Sequence, residues 1–440
     1  MKTHSQFALL REKRFGPYFL TQFMGAFNDN IYKNALIILI AFQGSSSGPE
    51  TTHTLINLSA GLFILPFFLF SASAGQIADK YEKSRLIRGV KLLEIVIMLL
   101  AAAGFLLKNI PLLIGVLFLM GTQSALFGPL KYGILPQHLG EDELTGGNGM
   151  VEMGTFLAIL LGTLFGGILI SMKSAGFLLI SITVISIAGI GYMASRGIPP
   201  APPAAPDLDI NWNLPSETWH NLKYLRENRT VFLSVAGISW FWCLGVSYLT
   251  QLPNYIKLTL GGNETIVTLM LTLFSMGIGI GSLLCEKLSA RKVELGLVPL
   301  GAIGLTLFGL DLGFVRFPPV SGELTGIADF LSVSGSWRIM GDILLISLFG
   351  GFYIVPLYTL IQQRSDPARL SRIIAGNNIL NALFMVFSAL LAIMLLNAGF
   401  AISQFFLIIA VLNGLFTGCI FWLVPEFPSR FLVWIRNSVR

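Results

Sequence analysis

Cysteine is nearly absent. Three occur, Cys243, Cys285 and Cys419, each inside an apolar run and far from the others. That spacing excludes a disulfide framework and a thiolate metal site, and leaves them as small packing residues. Charge is also scarce: Asp, Glu, Lys and Arg make up 12% of the chain, against about 25% in a soluble domain. There is no glycine loop ending in lysine that would cradle a phosphate, no cluster of metal ligands and no nucleophile motif. We therefore expect no cofactor, no metal and no catalysis, and no ATP bound by this chain.

What is present is apolar length. Hydrophobic residues make up 54% of the 440 residues, and the mean hydropathy is +0.74. A helix crosses a bilayer with about 20 apolar residues. Such runs lie near 17–43, 55–78, 86–107, 111–132, 146–172 and 175–195, then near 229–255, 264–288, 293–315, 338–361, 373–396 and 400–424. The fold class expected is an all-α membrane protein of twelve transmembrane helices. Between the sixth and seventh lies Pro199-Pro200-Ala201-Pro202-Pro203-Ala204-Ala205-Pro206, which cannot continue a helix and reads as a semi-rigid spacer. The segment after it carries Trp212, Trp219, Lys223, Arg226 and Arg229, suited to a membrane surface. The expected division is a six-helix bundle over 1–196, a linker over 197–228 and a second six-helix bundle over 229–440.

Basic residues orient the chain. With the N-terminus inside, the cytoplasmic segments hold 21 Lys and Arg, and the external ones hold five: Lys108, Lys173, Lys257, Arg316 and Arg338. Both termini are thus expected in the cytoplasm. Residues 1–16 lack the short apolar core and cleavage site of a signal peptide. The net charge of +6 then reflects topology and contact with anionic membrane lipids, with no nucleic acid required.

Against this apolar background the ionisable residues inside spans stand out. Asp29 and Lys33 sit one turn apart in the first run, and with Gln22 and Ala26 they fall on one helical stripe. Each such group at a bilayer centre costs roughly 2.5–3.5 kcal/mol. A chain keeps them for one of two reasons: a neutralised structural pair, or a site that handles a polar solute. Further on, Lys131 follows Gly128-Pro129, and Asn148 and Glu152 lie four apart at the start of the fifth run. Either a solute site or an interhelical pair fits Lys131 and Glu152. Lys91 and Glu94 are expected to be a snorkelling pair at the end of the third run.

The halves carry a weak repeat. Gly75-Gln76-Ile77-Ala78-Asp79-Lys80-Tyr81-Glu82-Lys83-Ser84-Arg85 is echoed by Gly281 to Lys292, and Phe127-Gly128 with Gly147-Asn148 by Phe349-Gly350 with Gly376-Asn377. An acid such as Asp79 beside a helix N-terminus is favoured by the helix dipole. Gly75, Asp79, Lys80, Lys83 and Arg85 therefore read as a conformational latch, and they resemble the loop motif of major facilitators, departing from it at Glu82 where that family usually has glycine. Two pseudo-symmetric six-helix bundles on a long linker are what the major facilitator fold looks like.

Pro129-Leu130-Lys131-Tyr132-Gly133-Ile134-Leu135, Asn148-Gly149-Met150-Val151-Glu152, the run from Leu160 to Leu169 and the opening Gln22-Phe23, Ala26-Phe27 and Asp29-Asn30 carry a closer likeness. Together they resemble the bacterial lysophospholipid transporter family of that superfamily. The resemblance implies movement of ethanolamine- and glycerol-type lysophospholipids from the outer to the inner leaflet of the inner membrane, for reacylation. That cargo suits the residues already singled out, and the expected substrate-binding set is Gln22, Asp29, Asn30, Lys33, Lys131, Asn148 and Glu152, with the lysines drawing the phosphodiester and Asp29 an ammonium head or holding Lys33 in place. The chain departs from the family in Trp240 to Tyr248, which holds no basic residue; Lys33 is the substitute cation expected.

Some relatives carry a fused acyltransferase with a His followed five positions later by Asp, and none of the four histidines here fits. The implied protein partner is thus a separate acyltransferase, or acyltransferase/acyl carrier protein synthetase, docked on a short basic tail that otherwise reads as an interfacial anchor. A monomer is expected. Two other functions fit the same composition: an exporter of amphipathic drugs or lipophilic solutes, and a scaffold that presents lipid to an acyltransferase without moving it.

Overall fold

The computed structural model describes residues 5–44, 49–172, 175–289, 292–317 and 324–438. Of the Lys and Arg counted above in the loops and termini, Lys2, Lys173, Arg291 and Arg440 lie outside them. Twelve long helices run through the described residues: α1 Gly16–Gly44, α2 Pro49–Lys80, α3 Lys83–Leu106, α4 Ile110–Gly133, α5 Leu144–Ile170, α6 Gly176–Ser195, α7 Arg229–Asn254, α8 Glu264–Leu288, α9 Leu297–Phe314, α10 Ser334–Arg364, α11 Leu370–Asn397 and α12 Ile402–Leu423. All but α1 meet the length and apolarity of a membrane span. At 29 residues α1 is long enough, but Gln22, Asn28, Asp29, Asn30, Lys33 and Asn34 dilute its hydropathy. The all-helical membrane fold is as expected.

Local chemistry sets where helices begin. Asn109 caps α4, its side chain accepting from the Leu112 N–H at 3.0 Å, with Pro111 just inside. Asn263 does the same for α8, accepting from the Thr265 N–H at 3.0 Å. After the proline run, Asn213 caps a further helix, Leu214–Glu227, with Pro215 in its first turn. The chain ends in an amphipathic helix, Glu426–Ser438.

Two packing units account for the chain. The first comprises 1–140, 157–228 and 364–379. Its core joins Ile31, Tyr32 and Leu36 of α1 to Met98 and Phe105 of α3, Leu113 and Met120 of α4, and Ile180 and Val184 of α6. The Tyr32 hydroxyl, buried in that core, donates to the Leu113 carbonyl at 2.6 Å, so its polar atom is not stranded. The second unit comprises 141–156, 229–363 and 380–440. There Trp240 of α7 stacks on Phe416 of α12, ring centroids 4.6 Å apart, and its indole N–H donates to Asn413 at 2.9 Å. Asn413 in turn donates to the Ala302 carbonyl at 3.1 Å, tying α7, α9 and α12.

Candidate functional site

The polar strip of α1 forms as its spacing requires, but the two charges do not close on each other. Asp29 is half-buried, and its Oδ2 accepts from the Ser124 hydroxyl of α4 at 3.1 Å. Lys33, also half-buried, holds its Nζ 4.3 Å from the centre of the Phe63 ring of α2. Among the described residues no ion pair joins them; each has a partner on a different helix. Asn30 donates to the Ala26 carbonyl one turn back at 2.7 Å, and Gln22 is buried. Phe19, Phe23 and Phe27 stack along α1 at centroid spacings of 6.3 and 6.1 Å. By the 3.6-residue period this aromatic row lies directly beside the polar strip.

A fully buried ion pair does form in this unit, between other residues. Lys91 Nζ lies 2.6 Å from Glu94 Oε2, with the two side chains 0% and 2% exposed. This corrects the expectation of a snorkelling pair. Asn28 of α1 donates to Glu94 Oε1 at 3.2 Å and Gln123 of α4 donates to Oε2 at 3.1 Å, so the carboxylate is satisfied by three helices. Gly25 of α1 makes room for it, since a Cβ there would overlap Lys91 Nζ. Asp29 and Glu94 are linked through neighbours, Ser124 binding one and Gln123 the other.

At the end of α2 the loop motif finds its partner within the same unit. Asp79 is fully buried and accepts from the Ser371 N–H at 3.0 Å, the Arg372 N–H at 3.3 Å and Arg372 Nε at 3.1 Å. A carboxylate therefore caps the N-terminus of α11, where the helix dipole favours it. Gly75 allows the approach: a Cβ there would lie 2.7 Å from Ala375 Cβ and 2.9 Å from Arg372 Cα. Lys83 is buried, Lys80 half-buried and Arg85 exposed.

Glu82, the departure from the family pattern, caps α3. Its carboxylate accepts from the N–H groups of Ser84 at 3.0 Å, Arg85 at 2.9 Å and Ala201 at 2.7 Å, and from the Ser84 hydroxyl. Burial acts to raise its pKa, but these hydrogen bonds outweigh burial and hold the carboxyl below its ordinary range. Glu82 thereby fastens the proline-rich segment, which is further tied by Asp79 O to the N–H groups of Ala204 and Ala205 at 2.9 and 2.8 Å. The expected spacer is in fact a strap bound along its length.

The remaining predicted residues fall apart by unit. Lys131, at the end of α4, belongs to the first; its carbonyl accepts from the Tyr18 hydroxyl at 2.7 Å. Asn148 and Glu152 belong to the second and are both fully buried. Asn148 exchanges hydrogen bonds with Gln362 of α10, at 2.6 Å and 3.2 Å, and donates to Thr359 at 3.2 Å. Gln362 and Thr359 went unread in the sequence because nothing local marks a pairing across more than 200 residues.

Long apolar helices holding a few placed charges are those of a membrane-spanning protein, and the comparisons give its class. The family model of the Major Facilitator Superfamily matches residues 18–383, so the chain belongs to that superfamily. It is 28% identical over 348 residues to the lysophospholipid transporter LplT of Klebsiella pneumoniae subsp. pneumoniae, covering 78% of each chain. To the protein of that name from Escherichia coli O1:K1 / APEC it is 27% identical over 354 residues, covering 78% of this chain and 79% of the other. Among solved structures, the human organic anion transporter MFSD10 (TETRAN) superposes with a TM-score of 0.68 at 13% identity, covering 96% of this chain and 99% of the other. A single-residue variant of the Escherichia coli fucose:proton symporter FucP does so with a TM-score of 0.65 at 14% identity, covering 94% and 99%. These two likenesses show the fold.

Proposed function

We propose that this protein transports lysophospholipids across a bacterial inner membrane, moving ethanolamine- and glycerol-headed species from the outer to the inner leaflet for reacylation. The observation that carries the reading is on α1: a cation and a carboxylate, each half-buried and unpaired with the other, beside a row of phenylalanines. A lysophospholipid asks for that combination. Its phosphodiester is met by Lys33, which an aromatic face attracts without neutralising it. Its ammonium, where present, is met by Asp29, and its single acyl chain by the aromatic row. Similarity to proteins named as lysophospholipid transporters supports the same assignment.

The proposed direction rests on orientation together with consumption of the product. The excess of basic residues in alternate loops puts both termini in the cytoplasm. In the first unit, the N-terminal segment (Arg14 to His138 O, 3.0 Å), the α4–α5 connection (Gln137 to Pro202 O, 3.0 Å), the linker and the segment before α11 (Arg369 to Glu227, 3.1 Å) meet one another, as segments on one side must. An acyltransferase on that side would consume the product and keep transport downhill.

Purified protein in proteoliposomes should move fluorescent lysophosphatidylethanolamine between leaflets faster than empty vesicles do, and unlabelled lysophosphatidylglycerol should compete. Movement of cationic dyes with no movement of lysolipid would refute the assignment in favour of a drug exporter. Binding without movement would refute it in favour of a lipid-presenting scaffold.

A further inference from the structure

The second unit holds a cluster of ionisable groups that lysolipid binding does not use. Asp342 of α10 is 4% exposed, and its Oδ2 has no hydrogen-bond partner among the described residues. Asp311 of α9 lies within hydrogen-bonding reach of it. Arg338, one turn before Asp342, grips Asp311: its Nε donates to Asp311 Oδ2 at 2.8 Å and its Nη2 to Oδ1. Tyr248 and Tyr255, from the α7 side, lie near enough to Asp342 to feel its charge. The Tyr255 hydroxyl is buried and also lacks a hydrogen-bond partner among the described residues. The groups around Asp342 are thus Asp311 on α9, Arg338 on its own helix, and the hydroxyls of Tyr248 and Tyr255.

Charge and hydrogen-bond chemistry leave one position to fill. Two carboxylates and one guanidinium carry one negative charge in excess, and a carboxylate as buried as Asp342 is costly to hold uncompensated. The guanidinium is engaged in a two-pronged bond with Asp311, which leaves Asp342 without a cation of its own. Ionised carboxylates only accept hydrogen bonds, so two of them in bonding contact require a proton between them.

We propose that Asp342 and Asp311 form a single-proton site, with the proton resident on Asp342. Asp311, whose side chain is 38% exposed, passes protons between water and Asp342: when Asp342 is ionised, Asp311 takes a proton from hydronium, releasing water, and hands it across the hydrogen bond. The site stands independently of lysolipid as the cargo.

Infrared spectra of the purified, folded protein test this directly. The spectrum of wild type minus that of Asp342→Asn at neutral pH should contain the carbonyl stretch of a protonated carboxylic acid. Asn imitates the protonated side chain, so the variant should unfold at the wild-type temperature. The proposal is overturned if the difference spectrum contains only carboxylate stretches. It is equally overturned if sodium at constant pH removes the band, which would make the site one for a metal cation.

Discussion

Lys91 and Lys33 lie on neighbouring helices of the first unit and hold their charges differently. Lys91 has no exposed surface and a carboxylate at 2.6 Å; Lys33 keeps some surface and has an aromatic ring where a carboxylate would be. Removing one member of a buried pair strands the other, at about 3–5 kcal/mol, whereas replacing both often breaks even. Lys91→Met and Glu94→Gln should each lower the unfolding temperature markedly, and the double variant should recover most of the loss. Thermal unfolding of the three proteins decides it, and a double variant no better than the singles would count against a self-neutralising pair. The sequence shows both lysines equally plainly, since each interrupts an apolar run. It does not show which is buried, because that depends on Asn28 and Gln123, which reach Glu94 from helices distant in sequence. The one local clue is Gly25, whose missing side chain is the space Lys91 occupies.

At the scale of elements, the end of α2 is the junction to examine. Gly75→Val would drive a branched side chain into Ala375 and the Arg372 backbone, separating α2 from the start of α11. Transport per folded molecule should fall at least about tenfold, equivalent to about 1.4 kcal/mol in the barrier; an unchanged rate would show that this approach has no part in the cycle. Glu82→Gln removes a charged cap from α3 and weakens the bond to Ala201, so stability should drop by about 1 kcal/mol. Because the folded carboxyl titrates below its ordinary value of 4.5, its contribution is complete above that value and fades as the pH falls through the folded one. The wild-type advantage over Glu82→Gln should accordingly shrink in acid, and an advantage independent of pH would contradict the cap. The Gly75–Asp79 motif was legible as an acid seeking a helix N-terminus. Which helix was not, since Asp79 and Ser371 are 292 residues apart and no periodicity links them.

For the whole molecule, twelve spans could be counted from apolar runs alone, even though the polar residues of α1 hide it from a hydropathy threshold. The grouping of those spans was less legible: residues 141–156 pack with the second unit and 364–379 with the first, which depends on tertiary contacts rather than on chain order. Orientation can be tested in a background lacking Cys243, Cys285 and Cys419. A cysteine at Lys108, in the exposed α3–α4 turn, should react with an impermeant reagent in intact cells, and one at Pro203 only after permeabilisation. Pro203 is chosen because it is exposed, whereas neighbouring Ala201 is buried. Equal labelling of both would reverse or dissolve the proposed topology. The central claim is that Asp29 and Lys33 handle the lysolipid while Lys91 and Glu94 hold the helices. Its most direct test is transport of fluorescent lysophosphatidylethanolamine, per folded molecule in proteoliposomes, by Asp29→Asn, Lys33→Gln and the Lys91→Met/Glu94→Gln double variant. The account predicts a fall of about tenfold or more in the first two, at nearly unchanged unfolding temperature, and near wild-type transport in the third. Full activity in Asp29→Asn and Lys33→Gln, with loss in the double variant, would contradict it.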